Sequence, residues 1–228
     1  MIYGPTGSFI KVKKMPLRVT TTRFGLMRHA ETLWNQERRI QGHRDSPLTD
    51  RGKKDADGWG RQLNRLRWDR IVGSDLGRAV ETAAIVNYYL QVPFETDFRL
   101  REQDWGEWAA ERMAEIESEA LPGLDEAKRT GWHCCPPGGE DRISVWQRSH
   151  RALMAAARRW PGETILIVTH EGVIRSLIYR LCNRRYLPQE PALLKSRHLH
   201  WLIFDSDRLQ IERINALMLE YNDSVSSA

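Results

Sequence analysis

Two arginines and two histidines stand at the ends of short apolar runs, where a folded chain can bring them together. The runs end at Arg28-His29, at Ser74-Asp75-Leu76-Gly77-Arg78 and at Thr169-His170. A planar guanidinium grips an oxyanion through paired, charge-assisted hydrogen bonds. An imidazole near neutral pH serves as nucleophile or as hydrogen-bond donor. If the three runs are neighbouring strands, their polar ends meet in the crevice beyond the sheet's carboxyl edge, where open α/β sheets bind ligands. Such a group of side chains suits the handling of a phosphoryl group.

The elements that must position them follow from periodicity. Phe24–Met27, Arg70–Gly73 and Thr164–Val168 read as short strands, the last apolar throughout, as expected of a parallel strand covered on both faces. Residues 50–66, 77–90, 140–159 and 171–181 read as helices, the first capped near Thr49 and the second and third stopped by Pro93 and Pro161. Residues 200–204 and 208–214 read as two further strands joined by the Asp205-Ser206-Asp207 turn. Residues 110–130 read as a helical excursion, and Pro136-Pro137-Gly138-Gly139 is a break. This alternation predicts an α/β fold of three layers, α/β/α, with a mostly parallel central sheet. One domain covers 24–216, with a helical or loop cap inserted at about 103–139, a basic leader over 1–23 and a tail over 217–228.

Composition excludes several other classes. The chain has 228 residues, 41% hydrophobic and 29% charged, as in an ordinary globular domain. No stretch approaches the roughly 20 apolar residues of a membrane helix, and none resembles a signal peptide. Three cysteines, two of them adjacent, make no disulfide framework, so the expected compartment is the cytoplasm. The net charge of +5 comes from the leader, which holds Lys11, Lys13, Lys14, Arg18 and Arg23 and no acid. Subtracting those five from 35 basic residues leaves 30, matched by 30 acidic ones. A nucleic-acid surface should carry its own basic excess, so no nucleic-acid partner is expected.

Around the polar strand ends the sequence resembles a known family. Leu26-Met27-Arg28-His29-Ala30-Glu31-Thr32 is similar to the Arg-His-Gly/Ala-Glu-Thr signature of the histidine phosphatase superfamily, also called phosphoglycerate mutase-like. Trp34-Asn35, Arg39, Gln41-Gly42 and Asp45-Ser46-Pro47-Leu48-Thr49 follow at the family's spacing. So do Ser74-Asp75-Leu76, Arg78-Ala79, Glu81-Thr82, Leu100-Arg101-Glu102, Pro137-Gly138-Gly139-Glu140 and Val168-Thr169-His170. The resemblance implies that His29 is the nucleophile that becomes phosphohistidine, and that Arg28, Arg78 and His170 surround the transferring group. It further implies that Glu102 is the general acid and that Asn35 and Gln41 contact the phosphoryl group or nearby substrate. It implies no metal and no cofactor, because arginines supply the positive charge. On electrostatic grounds the two guanidiniums should disfavour protonation of His29, and a protonated His170 should help stabilise the transition state.

The expected function is hydrolysis of a small phosphorylated metabolite. The family's sugar-phosphate mutases carry Glu-Arg-His-Tyr-Gly at the acid, whereas Arg101-Glu102-Gln103-Asp104-Trp105-Gly106 is closer to the broad-specificity and ribazole-type phosphatases. A mutase is the alternative, followed by a non-catalytic phospholigand-binding protein. Two departures bear on substrate preference: Trp108-Ala109-Ala110 replaces the frequent Trp-Glu-Gly, and Glu171 replaces a frequent glycine. A metal site at His133, Cys134, Cys135 and Cys182 lacks paired Cys-x-x-Cys spacing and is rejected. Of the nine tryptophans, Trp105, Trp108 and Trp132 fall where they could shape the pocket. Oligomeric state is left open, a homodimer among the options.

Overall fold

The apolar runs and amphipathic stretches become strands and helices in a computed structural model that describes residues 21–112 and 129–220. In chain order these are β1 (Thr22–Arg28), the one-turn α1 (Leu33–Gln36), α2 (Asp50–Leu63), β2 (Arg70–Gly73), α3 (Gly77–Leu90) and β3 (Phe94–Thr96). After the inserted segment come α4 (Arg142–Arg159), β4 (Thr164–Thr169), α5 (Glu171–Leu181), β5 (His198–Asp205) and β6 (Arg208–Met218). Helix starts are set by local chemistry. The Thr49 hydroxyl accepts the Gly52 amide at 2.8 Å, and the Asp141 carboxylate accepts the Ser144 amide at 2.7 Å. Helix α3 stops at Gln91, whose φ of 52° is left-handed, two residues before Pro93.

The six strands form one sheet in the order β3-β2-β4-β1-β5-β6. The first four are mutually parallel, and β5 and β6 add an antiparallel hairpin beside β1. Its two-residue turn places Ser206 and Asp207 at φ of 50° and 60°, the conformation that matches the twist of a tight hairpin. Alternation along β4 separates two cores. Ile165 and Ile167 pack with α4 and α5, whereas Leu166 and Val168 pack with α2 and α3. Each of these four side chains is fully buried, and each burial contributes about 1.5–3 kcal/mol. The result is the expected three layers. On the α2 side, Gly25 leaves room for Trp68 and Trp201 to stack with centroids 5.1 Å apart.

Several boundaries differ from the sequence reading. Strand β1 begins at Thr22, so Arg23 belongs to the sheet and not to the leader. Its guanidinium lies 4.4 Å above the Trp201 ring and pairs with Glu212 at 2.9 Å. Strand β6 extends through Met218, where Leu217 and Met218 pair with Leu199 and His198, so these two residues do not belong to a tail. Helix α1 and strand β3 were not expected; at four and three residues they are too short to show a period. Of the cap insert, residues 103–112 and 129–139 are described, with single 3-10 turns at Gly106–Trp108 and Gly131–His133. Most of the helix expected over 110–130, like residues 1–20 of the leader and 221–228 of the tail, lies outside the described residues. No helix among the described residues is long and apolar enough to cross a membrane.

Candidate active site

Strand register brings the polar ends together. Arg28 on β1 lies opposite Thr169 on β4, and the His29 amide continues the ladder by donating to the Thr169 carbonyl at 2.9 Å. On the other side of β4, the Ser74 amide donates to the Val168 carbonyl at 2.9 Å. The ends of β1, β4 and β2 therefore emerge side by side. His29 and His170 face each other with ring centroids 5.1 Å apart.

His29 is 5% exposed, and its Nδ1 lies 2.7 Å from the carbonyl oxygen of Ala30. A carbonyl accepts only, so Nδ1 carries the proton and Nε2 keeps its lone pair. Burial, then the charges of Arg28 and Arg78, hold this imidazole well below the usual histidine range. The Ala30 amide donates to Thr82 Oγ1 at 3.0 Å, which ties the histidine loop to α3.

His170 is fully buried, and here the expectation of a protonated ring is corrected. Burial and the nearby cationic groups, Arg78 first, drive its pKa well below the usual value, so the ring is neutral. Ser74 Oγ accepts the Leu76 amide at 3.3 Å and stands 2.8 Å from His170 Nε2. Where the hydroxyl donates to Nε2, the ring proton sits on Nδ1 and His170 presents a neutral N–H; in the other tautomer Nε2 donates to Oγ.

Arg78, at the start of α3, is 2% exposed. Its Nη1 donates to the Arg44 carbonyl and to Asp45 Oδ1, each at 2.9 Å, and its Nη2 donates to the Gly42 carbonyl at 2.8 Å. Of the seven buried side-chain polar atoms without a partner among the described residues, three belong to the residues expected at the site: Arg78 Nε, His170 Nδ1 and Gln41 Oε1. Buried polar groups are normally satisfied, so an unpaired group marks a place for a ligand. The two donors flank His29 and suit an anion's oxygens.

Glu102 is held by backbone amides. Its Oε1 accepts from the Gln103 amide at 2.8 Å and its Oε2 from the Gly172 amide at 3.2 Å. Any side chain at residue 172 would run into this carboxylate, which explains the glycine at that point. Sequence reasoning missed Arg148, on the inner face of α4. It donates to the carbonyls of Arg99, Arg101 and Glu102 at 2.5–2.8 Å and pairs with Glu140 at 2.8 Å. This clamp fixes the irregular backbone that carries Glu102. The only sequence signal was an arginine on an otherwise apolar helical face.

Two cavities open at His29. The larger, about 530 Å³, includes Gln41, Glu102, Trp105, Arg142, Arg175 and Tyr186. The smaller, about 370 Å³, runs toward Trp59, Lys195 and His200. Arg28, His29, Asn35 and Glu171 line both, and the buried Arg78 and His170 are adjacent to His29 without lining either. Asn35 is brought to the site, but its Oδ1 accepts from the amide and hydroxyl of Thr32, each at 3.1 Å, to cap α1. Of the three tryptophans, Trp105 lines the larger cavity, Trp108 is buried, and Trp132 donates from Nε1 to the Arg184 carbonyl away from it. Among the described residues no group of three His, Cys, Asp or Glu side chains could hold a metal ion.

Comparison with known proteins agrees with this architecture. The chain is 33% identical over 192 residues to phosphoglycerate mutase-like protein 4 of Arabidopsis thaliana, covering 82% of each protein. The solved structure of Bacillus stearothermophilus YhfR superimposes with a TM-score of 0.78 at 32% identity, over 87% of this chain and 98% of that one. A mycobacterial glucosyl-3-phosphoglycerate phosphatase complexed with VO3 gives a TM-score of 0.73 at 29% identity, over 86% and 99%. The profile of the histidine phosphatase superfamily (branch 1) matches residues 24–217, and the chain belongs to that superfamily.

Proposed function

We propose that the protein is a metal-independent phosphomonoesterase of the cytoplasm that hydrolyses a small phosphorylated metabolite through phosphohistidine at His29. His29 Nε2 attacks phosphorus while the ester P–O bond breaks, and a protonated Glu102 delivers its proton to the departing oxygen. Water then attacks the phosphorus with Glu102 as base; the P–N bond breaks and its electron pair returns to Nε2. Arg28, Arg78 and the neutral N–H of His170 stabilise the equatorial oxygens, and Gln41 and Asn35 border the group. The observation that carries this reading is the fixed tautomer of a neutral His29, with its lone pair free beside two guanidiniums.

Hydrolysis over mutase transfer is supported by access. Arg28 and Glu171, at the boundary of the two cavities, have side chains 38% and 50% exposed, so water reaches the phosphoryl position. Support for a mutase comes from relatives bearing that name. The test is steady-state hydrolysis of p-nitrophenyl phosphate in EDTA by wild type and His29→Ala, with 31P detection of phosphohistidine. Turnover that survives chelation and disappears in His29→Ala supports the reading. Interconversion of 2- and 3-phosphoglycerate without phosphate release would replace it with the mutase.

A further inference from the structure

The helix that follows His170 opens on an acid. Glu171 Oε2 holds Arg28 Nη1 at 2.6 Å, and Glu171 Oε1 stands 3.6 Å from Arg175 Nη2. A carboxylate in the first turn of a helix is favoured by the helix dipole. An ion pair as exposed as this one adds little to fold stability, so stability does not account for its place.

That place is unusual for an acid. A carboxylate accepts the same planar donors as a phosphate, and the two compete for one guanidinium. Arg78 is not open to such competition, because it is buried and tied down by the Gly42 and Arg44 carbonyls and by Asp45. Arg28 differs. It is half exposed, it lines both cavities beside His29, and its hydrogen bond to Glu171 is its only one among the described residues. One arginine of the pair is thus fixed and the other is shared with an internal anion.

We infer that Glu171 is a positioning residue that acts through Arg28 as a built-in competitor of the phosphoryl group. It weakens the hold on the product dianion and so speeds phosphate release. The inference rests on Arg28 being a phosphoryl-binding group. While the phosphoryl group is bound, Arg28 turns its remaining donors to it. When hydrolysis has freed inorganic phosphate, Glu171 retains Nη1 and the dianion departs against a negative charge. A unit charge about 5 Å from a bound anion, at an effective dielectric between protein and water, changes affinity roughly tenfold.

The test is equilibrium binding of inorganic phosphate by calorimetry to wild type, Glu171→Gln and Glu171→Asp, with KM and kcat for p-nitrophenyl phosphate measured alongside. Glu171→Gln keeps the shape and removes the charge, and Glu171→Asp keeps the charge. The expected result is a phosphate Kd about tenfold lower in Glu171→Gln, with KM falling in parallel, kcat not rising, and Glu171→Asp close to wild type. A merely structural contact would not tighten anion binding when lost. Equal affinity in wild type and Glu171→Gln overturns the inference, and so does weaker binding in Glu171→Gln, which would mean that Glu171 orients Arg28 toward the anion. Absence of phosphate binding in all three proteins overturns the phosphoryl-site reading itself, and the inference with it.

Discussion

Lowering the pH from 7 to 5 should destabilise this protein steeply, and the buried histidines set the size of the effect. His29, His170 and His200 are 5%, 0% and 3% exposed. Burial is the first cause of a lowered pKa in each, and His200 is pulled down to about 4. For His200 the Asn215 amide donates to Nδ1 at 3.0 Å, a bond that the neutral ring alone accepts. A histidine whose folded pKa lies below its unfolded value contributes stability that is complete above the unfolded pKa. That stability is lost as pH falls toward the folded pKa, because the unfolded chain then takes up a proton the native state refuses. With an unfolded pKa of about 6.5, the window runs downward from there. Between pH 7 and pH 5 each neutral buried histidine forfeits about 2 kcal/mol, and the three together about 6 kcal/mol. That is a large part of the roughly 5–15 kcal/mol of a typical domain. The assay is urea unfolding at half-unit steps across this range, for wild type and His200→Gln. His200 lies outside the proposed chemical step, and a glutamine oxygen can still accept the Asn215 amide. The variant should lose about one third of the pH dependence. A wild-type loss below about 2 kcal/mol, or a variant with undiminished pH dependence, would refute the claim that these rings are held neutral.

Three further substitutions probe the positioning of the site. Gly172→Ala drives a methyl group into the Glu102 carboxylate; it should lower kcat about 100-fold for an alkyl phosphate and far less for p-nitrophenyl phosphate, whose leaving group needs no acid. Arg148→Met removes the donor shared by three carbonyls and leaves Glu140 without its ion pair; chemical denaturation should show a loss of about 3 kcal/mol, with activity falling through Glu102. Ala110 adopts a φ of 82°, in the left-handed region that favours glycine; Ala110→Gly should raise stability by about 1 kcal/mol, read as a rise in Tm.

The parts of this site that the sequence made legible are those that depend on strand ends. A parallel strand buried on both faces is apolar throughout, so a histidine directly after it is conspicuous, as at Val168-Thr169-His170. Once the strands are neighbours, their register puts His29 beside His170 without further design. Arg78 was legible through its motif alone; its burial was not, because the carbonyls that hold it come from a loop some 35 residues earlier. The protonation state of His170 was misread for a related reason. Arg28 and Arg78 were counted as charges around a phosphoryl group, but their effect on a desolvated imidazole is to keep it neutral, and desolvation acts in the same direction.

Glu102 shows the limit from the other side. Nothing periodic surrounds it, since it lies between two 3-10 turns in the segment that leads into the cap. Its position is fixed by parts distant in sequence: the amide of Gly172, the Arg148 clamp, and the His43 ring nitrogen 2.9 Å from its carbonyl. Each alone reads as an ordinary residue, and only the fold makes them converge. The same holds for Glu171, which looks in the sequence like a favourable acid at a helix start. In the structure that acid lies 2.6 Å from the half-exposed Arg28 guanidinium beside His29, the contact on which the inferred competition with an anion rests. A helix that starts directly after the second histidine places its first side chain against Arg28 beside His29, so on the inference above the residue at 171 sets how firmly Arg28 is available to an anion.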